Sequence, residues 1–490
     1  MKSHTPTHGA ARVAARLIVL LACPWGNQAM ALPPSGVIVY NYLYDNNDNL
    51  TQSSDALGHI TNIGYDGLNR RINVADPATG VTVYGYDALD HLTSVTDPRS
   101  LVTGYQIDGL DNLNQLQSPD TGTTANTYDA AGNLISRTDA KQQTTRYAYD
   151  ALNRLTGITY ADSSTVAYTY DQGTNAIGRL SQISDASGSL QFSYDVGGRI
   201  LGESRIINVL ASVGGSTAPT IFNTAYAYDS AGRLASVTYP SGRVISYGRD
   251  GDGRISQITS VWNNITTVLV SQVQYQPFGG LKSYLNSAGT FVARSYDSYG
   301  RIASYTLNGI MHTLSYDGAS NIVATTDGGN PGNNTSYAYD ALDRLTSALS
   351  SINSLSYGYD ANGNRTGSTV NSSGNSYTIA ATSNQLQQIN AGQTLVYSTD
   401  ANGSITNNGT NQYVYDARGR MSGAVTAAGN VQYTINALGQ RVQKISPLGS
   451  TVFEYDITGK LIGEVDSAGG ATRARDYIYL GDLPVAVIQM

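Results

Sequence analysis

From residue 35 onward, short runs of alternating apolar and polar residues are separated by small clusters of turn-forming residues. A run such as Leu155-Thr156-Gly157-Ile158-Thr159-Tyr160 puts every second residue on one side, the pattern of a strand with one buried and one wetter face. In its fullest form the boundary between runs reads Tyr-x-Tyr-Asp-x-x-Gly-Arg-Leu, unbroken at Tyr226-Ala227-Tyr228-Asp229-Ser230-Ala231-Gly232-Arg233-Leu234. Two tyrosines spaced by two residues share a face of a strand. The aspartate ends that strand, because its carboxylate can accept a backbone N–H two residues on and open a turn. Gly132, Asn153 and Asp90 stand where a left-handed backbone would close such a turn, and all three types tolerate it. Leu134, Leu155, Ile72 and Leu92 then start the next strand.

Asp45, Asp66, Asp87, Asp108, Asp129, Asp150 and Asp171 follow one another at a constant step of 21. Asp55, Asp76, Asp97 and Asp139 lie on a second lattice of the same step and predict a second turn inside each repeat. The unit is therefore strand, turn, strand, turn, with roughly 5–7 residues per strand. A fixed period of this size sets the architecture. The fold class is all-β, an array of antiparallel β-hairpins. Regular repeats are expected over 35–200, an enlarged loop over 201–222, repeats over 223–365, a polar low-complexity insertion over 366–394 and further repeats over 395–490. At two strands per period the chain makes on the order of 40 strands, or about 190 Å of sheet from edge to edge. A sheet that wide is expected to curl into a hollow or partly open shell, which also covers its edges.

Charged residues are 13% of the chain and the net charge is −7, so the basic footprint of a nucleic-acid binder is missing. Tyrosine (36) far outnumbers phenylalanine (5), which suits half-buried strands with a polar tip at the surface. The segment 1–31 reads as a signal peptide: Lys2, Arg12 and Arg16, then the apolar stretch 17–23, then Ala29-Met30-Ala31 as a cleavage site. That apolar stretch is too short to span a bilayer. Cys23, the sole cysteine, offers a second reading as a lipoprotein anchor. Export to the medium or the cell surface is expected, with no transmembrane segment in the mature chain.

No catalytic, cofactor-binding or metal site stands out. Asp250-Gly251-Asp252-Gly253 and Asp360-Ala361-Asn362-Gly363-Asn364 resemble calcium loops, but neither continues to a bidentate glutamate, and hydrogen-bonded turns are the better account. Of the histidines, His4 and His8 lie in the leader, while His59, His91 and His312 are far apart, and His91 fills a slot that usually holds arginine. No serine sits in G-x-S-x-G. Arg154, Arg179, Arg199, Arg233, Arg254, Arg301, Arg344 and Arg420 recur just after turns. They could line a surface for anionic sugars, but pairing with nearby carboxylates or packing over tyrosine rings is preferred.

The repeat resembles the YD repeat of the Rhs proteins, which is shared with the teneurins and the C component of insecticidal Tc toxins. The resemblance covers about residues 39–488. It implies a hollow cocoon of YD hairpins, which in toxin members encloses a C-terminal toxic domain. The last stretch, Tyr477-Ile478-Tyr479-Leu480-Gly481-Asp482, looks like the lead into the Rhs core. Met490 comes before any D-P-x-G-L-like motif, so neither a self-cleavage residue nor a toxin domain carries over. The resemblance implies a non-enzymatic shell that encloses or presents a toxin-type polypeptide cargo from outside this chain. The alternative is adhesion or carbohydrate binding at the cell surface. A hydrolase hidden in the degenerate repeats is the least supported reading.

Overall fold

Each repeat turns its chain by the same device. At the turn of the unbroken repeat, the Asp229 N–H donates to the Arg233 carbonyl (2.9 Å) and the Gly232 N–H to the Asp229 carbonyl (2.9 Å). This is a tight turn followed by one left-handed residue and a bulge. The left-handed place is taken by Gly132 or Gly232, but also by Asn69, Asp90, Asp111 and Asn153, with φ from 58° to 69°. The bulge falls at the second tyrosine: in the Tyr147–Tyr149 repeat, the register shifts between Ala148 and Tyr149, and Tyr149 faces Leu155. A bulge that returns with every period adds twist at every hairpin, which curls a wide sheet. The inner turns use the same bonds, Asp76 N–H to the Gly80 carbonyl and Thr79 N–H to the Asp76 carbonyl.

The computed structural model describes residues 39–208, 219–277, 279–467 and 473–490. The chain divides into two units, 1–39 and 40–490, and the fold described is that of the second. The leader, with Cys23, lies outside the described residues. Among the described residues, forty-three strands run from Asn41–Tyr44 to Leu483–Gln489, with one short 3-10 turn at Pro331–Asn333. Consecutive strands pair antiparallel in chain order, in a sheet of 33 strands and a second of 10. The sheet does not close: the first strand pairs with the second, and the last with the one before it.

Instead the sheet winds, and its second winding meets the first. Asn362 reaches Asp97, Asn384 reaches Asp120, Asn402 reaches Asp139 and Arg418 reaches Asp185. The inner turns of the first winding thus abut the Tyr-Asp turns of the second along one seam.

Two stretches expected as insertions contain strand. Within 201–222, the strand Ile200–Ile207 continues to its end and Thr220–Tyr228 begins; the small-residue segment between them lies outside the described residues. The Gly-Ser-Ala composition of that segment concealed the alternation in its flanks. Within 366–394 the chain forms Arg365–Val370, Ser373–Ile379 and Leu386–Ala391, because polar residues suffice on strands with both faces wet.

The core sits where strands are longest. Thr220–Tyr228 and Ile265–Tyr275 have 9 and 11 residues, and both reach past the seam. There the sheet is two layers deep. Tyr226, Ile245, Ile258 and Val270 of the first winding pack with Ile462, Ile478 and Leu480 of the second. A smaller cluster joins Ile207 and Phe222 to Val442 and Val452.

Candidate functional site

Two constructions organise the side chains of the wound sheet: the box around each Tyr-Asp turn and the seam between windings.

In the box, one carboxylate organises a whole turn. Asp150 Oδ1 accepts the N–H of Leu152 and of Arg154, and its Oδ2 accepts Arg154 Nε at 2.7 Å. These bonds hold the Asp150 carboxyl below its usual range, the Arg154 N–H contributing most. The Arg154 guanidinium reaches on to Asp171 of the next repeat (2.7 Å) and lies 4.3 Å from the Tyr170 ring centre. The Tyr170 hydroxyl in turn donates to the Leu155 carbonyl. Each repeat is therefore fastened to the next through Asp, Arg and Tyr, and the period fixes which side chains meet.

Of the arginines expected to pair with carboxylates or to pack over tyrosines, all but Arg420 do one or both. Arg199, Arg254, Arg301 and Arg344 each bind their own turn aspartate through Nε and lie over the next repeat's tyrosine: Tyr228, Tyr275, Tyr316 and Tyr359. Arg233 binds Asp229, Arg179 lies over Tyr194, and Arg420 donates to the Asn436 carbonyl. His91 takes the arginine's place, with Nδ1 2.9 Å from Asp87 and Nε2 2.8 Å from Asp111. The calcium-like loops are two of these boxes. Asp250 accepts from Asp252 and Arg254, and Asp360 from Asn362 and Asn364.

The seam is polar along much of its length. Arg99 donates to the carbonyls of Ala380 (2.7 Å) and Ser383 (2.8 Å) and stands 3.3 Å from the Asp360 carboxylate. Asn402 donates to Asp139 (2.6 Å), and Lys141 pairs with Asp400 at 3.2 Å. Gly403 is left-handed, and a Cβ there would stand 2.4 Å from the Asp120 carbonyl, so the windings approach closely only with glycine at that position. Farther along, charges are buried. Arg243 binds Asp476 (2.7 Å) and Ser260 (3.0 Å), with both charged partners almost fully enclosed. Glu203 and Arg205 form a second buried pair at 3.5 Å, and Arg205 also bonds Gln440. Burial raises Glu203 to about 7 and Glu454 to about 8, against partial relief from Arg205.

Sequence reasoning missed the contacts between windings, which join residues more than 200 positions apart. It also missed a histidine–carboxylate group: Asp55 and His59 of the first winding come together with Asp343 of the second. His59 Nδ1 is bonded to Asp55 (2.8 Å), and Asp343 accepts from Asn321 (2.7 Å). No signal short of the superhelical pitch could have predicted this juxtaposition. The arrangement holds a wound sheet together and leaves its turns and faces as the surfaces available to other molecules. Among the described residues, no helix is long and apolar enough to cross a membrane.

Comparison with known proteins matches this construction. The RHS repeat family model matches residues 86–123. No curated protein matches by sequence. Among solved structures, a chain of the Photorhabdus luminescens Tc holotoxin pore aligns with a TM-score of 0.71 at 15% identity, over 90% of this chain and 28% of that one. The TcdB2–TccC3–Cdc42 crystal structure aligns with a TM-score of 0.73 at 16% identity, over the same shares. TcdB2–TccC3 itself aligns with a TM-score of 0.70 at 15% identity, over 90% of this chain and 29% of that chain. This chain thus spans under a third of the length of those matched chains. The teneurin YD-shell family model matches residues 110–267 and 270–455, well over half of the sequence, and the chain belongs to that family.

Proposed function

We propose that this protein is an exported, non-enzymatic shell that encloses or presents a polypeptide cargo supplied from outside the chain. The observation that carries the reading is the seam. A sheet whose windings are joined turn to turn, and clamped by buried pairs such as Arg243–Asp476, is built to hold a wall in place. The regular repeats support the same reading, because the carboxylates and guanidiniums of the boxes are engaged by their own and neighbouring repeats. One similar solved structure is a Tc holotoxin pore and another is titled TcdB2–TccC3–Cdc42; a toxin-type polypeptide is the cargo proposed here. The leader read in 1–31 supplies the route out of the cell.

The test is protease protection. The full chain is produced with a small unfolded polypeptide fused after Met490, and the fusion is digested alongside the free polypeptide. Enclosure predicts that the fused segment survives at least tenfold longer than the free one. Presentation predicts rapid cleavage of the segment while the repeats stay intact. A chain whose repeats are digested as fast as the segment would sink both forms of the proposal.

A further inference from the structure

The first inner turn, Asp55-Ala56-Leu57-Gly58-His59, meets two Tyr-Asp turns of the second winding. A Cβ on Gly318 would stand 3.2 Å from the Ala56 Cβ, and Asp343 of the following turn comes up to Asp55 and His59. One oxygen or nitrogen from each of Asp55, His59 and Asp343 lies within 4.8 Å of the other two.

The inner turn holds its two members in place. Asp55 Oδ1 accepts the N–H of Leu57 (2.9 Å) and of His59 (2.8 Å), and Oδ2 stands 2.8 Å from His59 Nδ1. In the turns opened by Asp76, Asp97 and Asp139, the place of His59 is taken by Gly80, Leu101 and Gln143. His91, at the same place of a Tyr-Asp turn, has both ring nitrogens bonded to carboxylates. Among the described residues His59 has only one so bonded, which leaves its ring a nitrogen for a further partner.

The charges do not balance as they do elsewhere. Along the seam, acids meet cations: Arg99 faces Asp360, Lys141 Asp400, Arg418 Asp185 and Arg243 Asp476. Within a winding, Asp90 and Asp111 stand at the same place in their turns as Asp343 and receive Arg70 and His91 from the preceding repeat. Asp343 receives neutral Asn321 (2.7 Å), and among the described residues no cation pairs with it. Arg301, a cation in the neighbourhood, is engaged by Asp297 (2.7 Å) and Ser320 (3.0 Å). Two carboxylates thus converge across the seam with one imidazole between them, a charge that a dication would cancel. An imidazole nitrogen with two carboxylate oxygens suits Zn²⁺ and similar transition-metal ions, whereas Ca²⁺ and Mg²⁺ take oxygen ligands. Ligands of a tetrahedral ion stand about 3.4 Å apart when each is about 2.1 Å from it. The exposed Asp343 has to close slightly to reach that spacing, and the Asp55–His59 pair to open.

We propose that Asp55, His59 and Asp343 bind a transition-metal dication of the Zn²⁺ class, which staples the first inner turn of one winding to a Tyr-Asp turn of the next. Water fills the remaining position of the ion.

Calorimetric titration of ZnCl₂ into the full protein, freed of metal with a chelator, tests this. The expected result is saturable binding of about one ion per chain, with protons released as the imidazole is engaged. His59→Gln and Asp343→Asn are each expected to weaken it at least about tenfold, as the loss of a ligand requires. Both replacements fit their turns: Gln143 occupies the histidine's place in its own repeat, and Asn69 and Asn153 that of Asp343. An unchanged urea midpoint in chelator confirms folding. His59→Cys keeps a ligand and retains binding, and His91→Asn leaves it unchanged. A protein that takes up no Zn²⁺ overturns the proposal. So do two variants that bind like wild type, as they would if His4 and His8 held the ion, and a loss confined to one of the two, which would leave the windings unjoined. Displacement of Zn²⁺ by an equal concentration of Ca²⁺ would reduce the site to surface acidity and overturns it as well.

Discussion

The first half of the first winding and the two-layer zone are made from the same repeat and are stabilised in opposite ways. From residue 41 to 165, Thr124 is the one buried residue. That stretch is a single layer, wetted on both faces and fastened by turn boxes and arginine–tyrosine contacts such as Arg70 over Tyr86. Between residues 200 and 285, the strands lengthen, cross the seam and meet Ile462, Ile478 and Leu480. Here apolar burial dominates, and ion pairs such as Arg243–Asp476 are enclosed with it. A periodic sequence thus builds an extensible wall where every repeat stays short, and a core where a few hairpins outgrow the period.

The sharpest way to break this contrast is to leave one interior charge alone. Asp476→Ala strands Arg243, which is 5% exposed and has Ser260 as its other side-chain partner. An uncompensated buried charge costs about 3–5 kcal/mol. Trp262 lies 5.0 Å from the Arg243 guanidinium and reports the transition by fluorescence in urea. The expected result is a large fall in the urea midpoint, with hydrogen exchange across residues 60–160 unchanged. The double replacement Arg243→Met with Asp476→Leu should recover most of the loss. If Asp476→Ala speeds exchange throughout the first winding, the two zones are one cooperative unit and the contrast fails.

The pH response should split the zones next, in opposite directions. Burial lifts Glu203 to about 7 and Glu454 to about 8, above the 4.5 of a free glutamate, with Asp456 and Asp476 adding to the rise and Arg205 opposing it. The native two-layer zone therefore binds more protons than its unfolded form. Its stabilisation is fully present below about pH 4.5 and is lost as pH rises through 7 to 8, at roughly 1.4 kcal/mol per pH unit for each carboxyl. Glu203→Gln with Glu454→Gln should flatten that decline by a few kcal/mol between pH 5 and 9. The turn carboxylates of the single layer run the other way. Asp66 and Asp150 are held low, chiefly by the N–H groups of Arg70 and Arg154, so their contribution is lost on acidification. Urea midpoints at pH 3, 5, 7 and 9 check both slopes, and a Gln pair that leaves the alkaline slope intact removes the carboxyls as its cause.

The single layer was legible in the sequence, and the two-layer zone was not. A constant period specifies strand, turn and partner when every contact lies within the next repeat, as Arg154 to Tyr170 does. The aspartate's role as turn acceptor followed from its place, and so did the arginine's choice of carboxylates or tyrosine rings as partners. The seam depends on the pitch of the winding, a sum of small twists that no single repeat encodes. Asp97 gives no local sign that Asn362 will cover it. The long hairpins were hidden for a different reason. The small residues that link Ile200–Ile207 to Thr220–Tyr228 suggested a loop, and drew the alternating Thr220, Phe222 and Thr224 flank into it.

The smallest expected effect probes whether each box really leans on the next. His91 stands in the arginine slot, and the hydrogen bonds to Asp111 and then to Asp87 raise its pKa above the ordinary 6.5. Asp111 belongs to the following repeat, so its share of the rise measures contact between repeats, while that of Asp87 measures the box itself. Asp111→Asn should bring the His91 titration down, as followed by NMR, and leave the Leu89 and His91 amides protected, because Asp87 still accepts both. Asp87→Ala should lower the titration as well and speed exchange at those amides on the order of tenfold, as expected for losing their acceptor. Neither change should reach Ile258 or Val270 in the two-layer zone. A His91 titration indifferent to Asp111 would mean that neighbouring repeats are tied by backbone ladders alone. The Asp–Arg–Tyr chain would then decorate the single layer rather than hold it, and the contrast between the zones would reduce to the presence or absence of a core.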